Sequence, residues 1–180
     1  MVLLAIACLR NGVIFCPLNP AMPLLQIHHY CLSIQSTWLC LIPEMLSDDW
    51  GVYHYLKLPI KQLTAVMPRQ SVAIDPEQIM NLIATSGTIN KPKAVAHNFS
   101  HHYYSAVGAA EVVPLTYEDV WLLSLPLFHV SGLAIIFRCL LAGACIAAYD
   151  KSKGLTSHLV PATVTHLSLV NAQLHSLLNT

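Results

Sequence analysis

The stretch Ala84-Thr85-Ser86-Gly87-Thr88-Ile89-Asn90-Lys91-Pro92-Lys93-Ala94 decides how the rest of the chain is read. Three hydroxyls, one glycine and two lysines follow an apolar run over residues 78–84. Hydroxyls and free backbone N–H groups donate to phosphate oxygens, and a lysine supplies the compensating charge. The composition is that of an anion cradle. It is equally that of an ordinary polar turn, which draws on the same Thr, Ser, Gly, Asn and Pro. The loop is not the G-x-x-x-x-G-K-[ST] cradle. Counting from Gly87, Pro92 fills the second glycine slot and has no N–H, and Ala94 fills the last slot and has no hydroxyl.

Outward from this loop the chain alternates strands and helices. Towards the N-terminus, residues 2–9 read as a helix stopped by Gly12. Residues 13–16 read as a strand broken by Pro17-Leu18-Asn19-Pro20, and residues 37–42 as a second short strand. Residues 43–70 have no clear period and read as a surface connection holding one or two strands. After the loop, residues 93–97 are extended, and Asn98 or Ser100 can cap a helix running through Glu111. Residues 120–125 form a buried strand ended by Pro126, and Ser131 can cap a helix running to Ala142 that Gly143 stops. Residues 144–149 and 165–170 are strands, and Asn171 caps a last helix through Leu178. The expectation is an α/β fold, mixed sheets flanked by helices.

Composition narrows the function. Of the 180 residues, 55% are hydrophobic and 10% charged, well below the roughly 25% charged residues of an ordinary soluble domain. Two explanations compete: a membrane protein, or part of a larger body. A spanning helix needs about 20 apolar residues, and the nearest run, 133–149, is interrupted by Arg138. Met1-Val2-Leu3-Leu4 lacks the basic start of a signal peptide. The expectation is a cytoplasmic chain with no membrane span. Nine basic and nine acidic residues give no net charge and no basic block, so nucleic-acid binding is disfavoured. The six cysteines include no C-x-x-C pair and sit mostly in apolar runs, which predicts buried free thiols.

Thr85-Ser86-Gly87-Thr88 with Pro92-Lys93 resembles the phosphate loop of the adenylate-forming acyl-CoA ligase family, [TS]-S-G-[TS]-[TS]-G-x-P-K-[GA]. A second stretch, Asp119-Val120-Trp121-Leu122-Leu123-Ser124-Leu125-Pro126-Leu127-Phe128-His129-Val130-Ser131-Gly132, is similar to the family's next motif. It is most similar to the o-succinylbenzoate–CoA ligase branch of menaquinone synthesis. Leu140-Leu141-Ala142-Gly143-Ala144 and His166-Leu167-Ser168-Leu169-Val170 follow in the expected order. The resemblance is close from about Ile79 onward and loose over residues 1–19.

The resemblance implies two half-reactions. A carboxylate attacks the α-phosphate of ATP, giving an acyl-adenylate and pyrophosphate, and the thiol of coenzyme A then takes the acyl group. It implies that Thr85, Ser86, Gly87 and Thr88 wrap the β- and γ-phosphates, with Lys93 as the point charge. It places His129 beside the α-phosphate in a pocket for a small carboxylic acid, with Ser131 and Gly132 next to it. The alternative for His129 is a backbone-bonded histidine at a strand end. Arg138 has two readings, pairing with the second carboxylate of a dicarboxylic substrate or snorkelling to the surface. His97 and His101 are four apart, a spacing that suits a metal on a helix, but no third ligand is evident. His28-His29 and His101-His102 have the same standing. Glu111, Glu118 and Asp119 read as solvated or capping carboxylates.

Two positions depart from the family pattern. Ile89 stands where a hydroxyl is usual, a donor worth roughly 1.5–3 kcal/mol against a charged partner. Asn90 replaces a glycine and is among the few residues that tolerate positive φ. Family members are more than twice as long. The expectation is therefore a partial N-terminal AMP-binding domain over residues 1–180, truncated at both ends and without the C-terminal domain. The Mg2+-binding glutamate falls in the absent part, no metal ligand is assigned here, and the chain alone is expected not to turn over.

Overall fold

The computed structural model describes residues 1–36, 38–41, 54–57, 72–85, 93–159 and 163–179. Helix α1 (Val2–Arg10) buries Ala5 and Leu9, one turn apart on one face. It ends as the chain turns through Gly12 at φ 67°, with the Val13 N–H on the Cys8 carbonyl at 2.9 Å. That is a Schellman closure, for which glycine carries no steric cost.

Residues 13–16 do not form the expected strand. Phe15 alone makes a parallel bridge to Asn81, through Phe15 N–H to Met80 (2.8 Å) and Leu82 N–H to Phe15 (3.1 Å). The next rung would need an N–H from Pro17, which has none. Helix α2 (Leu24–Ser33) follows; the Pro-rich start hid it in the sequence. Its end hid too. Gln35, at φ 54°, closes the helix by the same Schellman pattern, with Ser36 N–H on the Cys31 carbonyl at 2.9 Å. Strand β1 (Trp38–Leu41) pairs in parallel with β2 (His54–Lys57), and Leu39 packs with Ile27 and Cys31 of α2.

Strands β3 (Ile79–Thr85) and β4 (Lys93–Asn98) pair antiparallel around the opening stretch, with a register shift between Ile79 and Asn81. Asn98 caps α3 (Phe99–Ala110): its side chain accepts from His101 N–H at 2.9 Å, and the His101 ring accepts the Asn98 N–H at 3.1 Å. Histidine stands where a capping box usually has Glu. Ser100 instead donates to Pro76 and Glu77.

A third sheet is parallel, in the order β6 (Cys145–Ala148), β5 (Val120–Leu123), β7 (His166–Leu167). β5 is two residues shorter than expected, because Ser124 N–H turns back to the Leu122 carbonyl at 2.9 Å. β7 is short because the Ser168 carbonyl is taken by the Ser124 hydroxyl, outside the ladder. After β6 come a 3-10 turn (Lys151–Lys153) and a short helix α5 (Thr156–Leu159). Helix α6 (Asn171–Leu178) starts from Val170, whose N–H donates to Gln173 Oε1 at 3.0 Å. Asn171 is thus the first helical residue, not the cap.

Helix α4 (Val130–Ala142) is the hub. Leu133 and Ile136 pack with Ala5, Phe15 and Ile83; Phe137 with Leu9, Met80 and Ala106; Ile135 and Cys139 with Trp121 and Leu125. A helix apolar on all sides must be largely covered, and its middle is, while Val130, Leu140 and Leu141 at its ends stay exposed. Its N-cap is His129, not Ser131. Gly143, at φ 72°, closes its end. The thiols are all free, but less buried than expected: Cys31 and Cys139 are buried, Cys8 and Cys16 half-buried, Cys40 and Cys145 exposed. No helix among the described residues is long and apolar enough to cross a membrane.

Candidate functional site

The last described rung of the β3–β4 hairpin is Thr85 opposite Lys93. Both side chains are exposed. The Thr85 hydroxyl donates its one proton to the Lys93 backbone carbonyl over a long 3.4 Å. Ser86, Gly87 and Thr88 lie outside the described residues, as do Ile89 and Asn90. The hairpin is held on α4: Ile83, two residues before Thr85, shares a core cluster with Leu133, one turn after His129.

The second motif forms the turn between β5 and α4. His129 N–H bonds to the Pro126 carbonyl at 3.1 Å, and Gly132 N–H to the His129 carbonyl at 3.1 Å. The His129 ring makes no capping bond; it is exposed and lies 4.7 Å from the Phe128 ring. This leaves its nitrogens available at a helix N-terminus, where anions are favoured. Ser131 is exposed in the first turn. Gly132 is buried, and a Cβ there would lie 2.3 Å from the Pro126 carbonyl oxygen, so the loop passes directly over the helix.

Arg138 stands apart from these. Nine residues beyond His129, it lies about 13 Å further along the axis of α4 at 1.5 Å per residue. Its guanidinium carbon sits 5.4 Å from the Trp121 ring centroid. Its Nε is buried, with no hydrogen-bond partner among the described residues. With Ala106, Ala110, Val113, Leu115, Leu141 and Ala142 it lines a cavity of about 190 Å³. The stem is covered as a snorkelling arginine's would be, but the head includes a donor that water does not reach.

The sequence reading missed a buried polar network under the hairpin. Asn81 is 0% exposed; its side chain meets His102 Nε2 at 2.6 Å and His97 Nδ1 at 3.4 Å. The His102 ring stacks on Phe137 at 4.6 Å. Burial, with His97 and His101 nearby, pushes the His102 pKa down to about 4. The signal was a lone Asn inside an apolar run. His97 is on β4 and His101 on α3, so their spacing is not that of one helix face. Among the described residues no group of three or more His, Cys, Asp or Glu gathers to hold a metal. Asp119 is a capping carboxylate, accepting from Thr116 N–H (2.8 Å) and its hydroxyl (2.9 Å), and these bonds hold its pKa down.

The family pattern of AMP-binding enzymes matches residues 1–180, and the chain belongs to that family. It is 35% identical over 175 residues to the 2-succinylbenzoate–CoA ligase of Escherichia coli, and 34% over 180 residues to that of Salmonella typhimurium. Each alignment covers 96% of this chain and 36% of the relative, so the chain spans about a third of their length. Among solved structures, the o-succinylbenzoate CoA synthetase (MenE) of Bacillus subtilis in complex with the acyl-adenylate OSB-AMP superposes with a TM-score of 0.85. That match has 28% identity and covers 99% of this chain and 48% of the other. The same enzyme with ATP and a magnesium ion also gives 0.85, at 28% identity, covering 99% and 38%. The α/β fold is that of these enzymes' corresponding part.

Proposed function

We propose that this chain carries the triphosphate-holding part of an ATP-dependent acid–CoA ligase whose acid is o-succinylbenzoate. The observation that carries the reading is the Thr85–Lys93 rung. Thr85 and Lys93, both exposed, are register partners directly flanking residues 86–92, with the Thr85 hydroxyl on the Lys93 backbone carbonyl at a long 3.4 Å. Attack of a carboxylate oxygen on the α-phosphorus leaves charge on the departing pyrophosphate, and donors fixed beforehand stabilise it without reorganising. Lys93, with Ser86, Gly87 and Thr88, holds the β- and γ-phosphates, and Thr85 joins them when its hydroxyl turns from the Lys93 carbonyl. Mg2+, when bound, would neutralise further phosphate charge; the described residues offer no carboxylate cluster for it.

His129, exposed beside Ser131 at the start of α4 over the buried Gly132, faces the acyl–phosphate junction. Arg138, with its buried Nε–H, lines a separate cavity a half-turn round and about 13 Å along α4 from His129, too far to share one small dicarboxylic acid with it, and takes no part in this reading. Transfer to coenzyme A completes the reaction, in a cytoplasmic setting where both nucleotides are at hand. We infer that residues 1–180, a third of the relatives' length, form part of an N-terminal AMP-binding domain that binds nucleotide without turning over by itself.

Isothermal titration of the chain with ATP tests the reading. Binding that weakens tenfold or more in Lys93→Ala is expected, since a hydrogen bond to a charged group is worth roughly 1.5–3 kcal/mol. No binding by the wild type, or an equal affinity in the variant, would favour a scaffold without nucleotide chemistry.

A further inference from the structure

The polar network under the hairpin has a directional order. An amide oxygen only accepts, so His102 presents Nε2–H to Asn81 Oδ1. An amide nitrogen only donates, so His97 presents a bare Nδ1 to Asn81 Nδ2. Asn81 and His97 are also register partners across β3 and β4. The rungs Asn81–His97, Ile83–Val95 and Thr85–Lys93 follow at intervals of two residues, so all six side chains stand on one face of the hairpin. A slip of one residue would turn Lys93 to the opposite face from Thr85. The place where such a slip starts is present: the register shift lies between Ile79 and Asn81.

We propose that Asn81 and His97 are positioning residues that fix the hairpin's register, and with it the face on which Thr85 and Lys93 stand. The site served is the phosphate site proposed above, and the inference rests on that reading for its purpose, not for its geometry. β3 is anchored on its other edge by Phe15 and underneath by His102; the end of β4 is tied to residues 76–78 through Asn98, Phe99 and Ser100, but those bonds lie across the register shift from Asn81, so the pairing beyond it is left to be placed. The backbone ladder alone does not choose between registers, because Val95 and Ala96 are both exposed and carry no burial preference. The buried amide does choose: only the observed register gives Asn81 Nδ2 an acceptor, and leaving it unsatisfied is costly. The lock is proton-sensitive. Protonated His97 would turn an N–H towards the amide N–H. The groups around it are the His101 ring at 6.2 Å and the His102 ring at 5.4 Å, with Phe137 behind His102. None of these is a carboxylate; the Val95 backbone bond favours the charge, but burial and the His101 ring outweigh it.

Nuclear magnetic resonance of the chain tests this without ATP. Expected are an Nε2–H tautomer for both His97 and His102 at neutral pH, and cross-strand nuclear Overhauser contacts between Thr85 and Lys93. Asn81→Leu should lose those contacts while circular dichroism stays native. Asn81→Asp, which can only accept, should keep them and hold His97 protonated at a pH at least one unit higher than in the wild type. Retained Thr85–Lys93 contacts in Asn81→Leu would overturn the proposal. If Asn81→Leu does not fold, an unchanged His97 titration in Asn81→Asp would overturn it instead. In the same samples, failure of the wild type to bind ATP would remove the phosphate reading, while the register is still decided by the cross-strand contacts.

Discussion

A Cβ placed on Gly132 would fall 2.3 Å from the carbonyl oxygen of Pro126. The atoms it would meet, Pro126 C at 2.6 Å and Leu125 O at 2.9 Å included, are all backbone, so no rotamer change relieves the contact. The first turn of α4 and the loop leaving β5 are packed at the closest distance a polypeptide permits. That contact holds His129 in place at the head of the helix.

Gly132→Ala should therefore destabilise the fold by about 1–3 kcal/mol, the range for overpacking a closed site. Urea denaturation reads this directly. An unchanged midpoint would mean that the loop yields freely, and that His129 is not held as described.

Gly143 and Gln35 both sit at positive φ behind helix ends, at 72° and 54°. Only one of them is glycine. Gly143→Ala has ordinary room, its new Cβ meeting Tyr117 at 3.7 Å, so the cost is conformational, about 1–2 kcal/mol. Gln35→Gly should do the opposite. Relief of that strain, less glycine's greater unfolded entropy, leaves a gain of about 0.5–1 kcal/mol. Melting temperatures moving in the same direction for both variants would contradict the left-handed closures.

His102 ties stability to pH. Its folded pKa of about 4 lies below the usual 6.5, so between those values the unfolded chain binds the extra proton. The stabilisation is complete above pH 6.5 and is lost as pH falls from there towards 4. Each pH unit separating the folded from the unfolded titration is worth about 1.4 kcal/mol, so the loss is on the order of 3 kcal/mol. His102→Gln keeps a donor for Asn81 without titrating and should flatten the stability profile over that window. A profile as steep as the wild type's would assign the acid sensitivity to other groups, with His97, whose pKa burial also lowers, the next to test.

Arg138 should prove dispensable for folding. Its buried Nε–H lacks a partner among the described residues, a state costing about 1–3 kcal/mol. Its position over Trp121 returns about 0.5–1 kcal/mol. Arg138→Met should leave stability unchanged or raise it slightly. A loss above about 2 kcal/mol by chemical denaturation would show that the guanidinium holds the fold together.

Most elements from Ile79 to Leu178 were legible in the sequence because their signals are local; β3 was read only as an apolar run, and the 3-10 turn and α5 were missed. Alternating apolar runs, Asn98 before α3, Gly143 after α4 and Pro126 beyond β5 each act on their own neighbours. The hydroxyl-rich stretch and the two motifs were legible for the same reason, since loop chemistry is written in consecutive residues. What remained hidden was decided by partners far along the chain. Phe15 makes one rung rather than a strand because Asn81's strand meets a segment ending in Pro17. Gln35 adopts a glycine's conformation because α2 must close there. His129 rather than Ser131 heads α4 because the Pro126 loop lies on Gly132. Asn81 became the centre of a network only once β3, β4 and α3 converged on it. Local sequence sets what each segment can form; the burial of backbone and polar groups between segments selects among those forms, and burial exists only in the assembled structure.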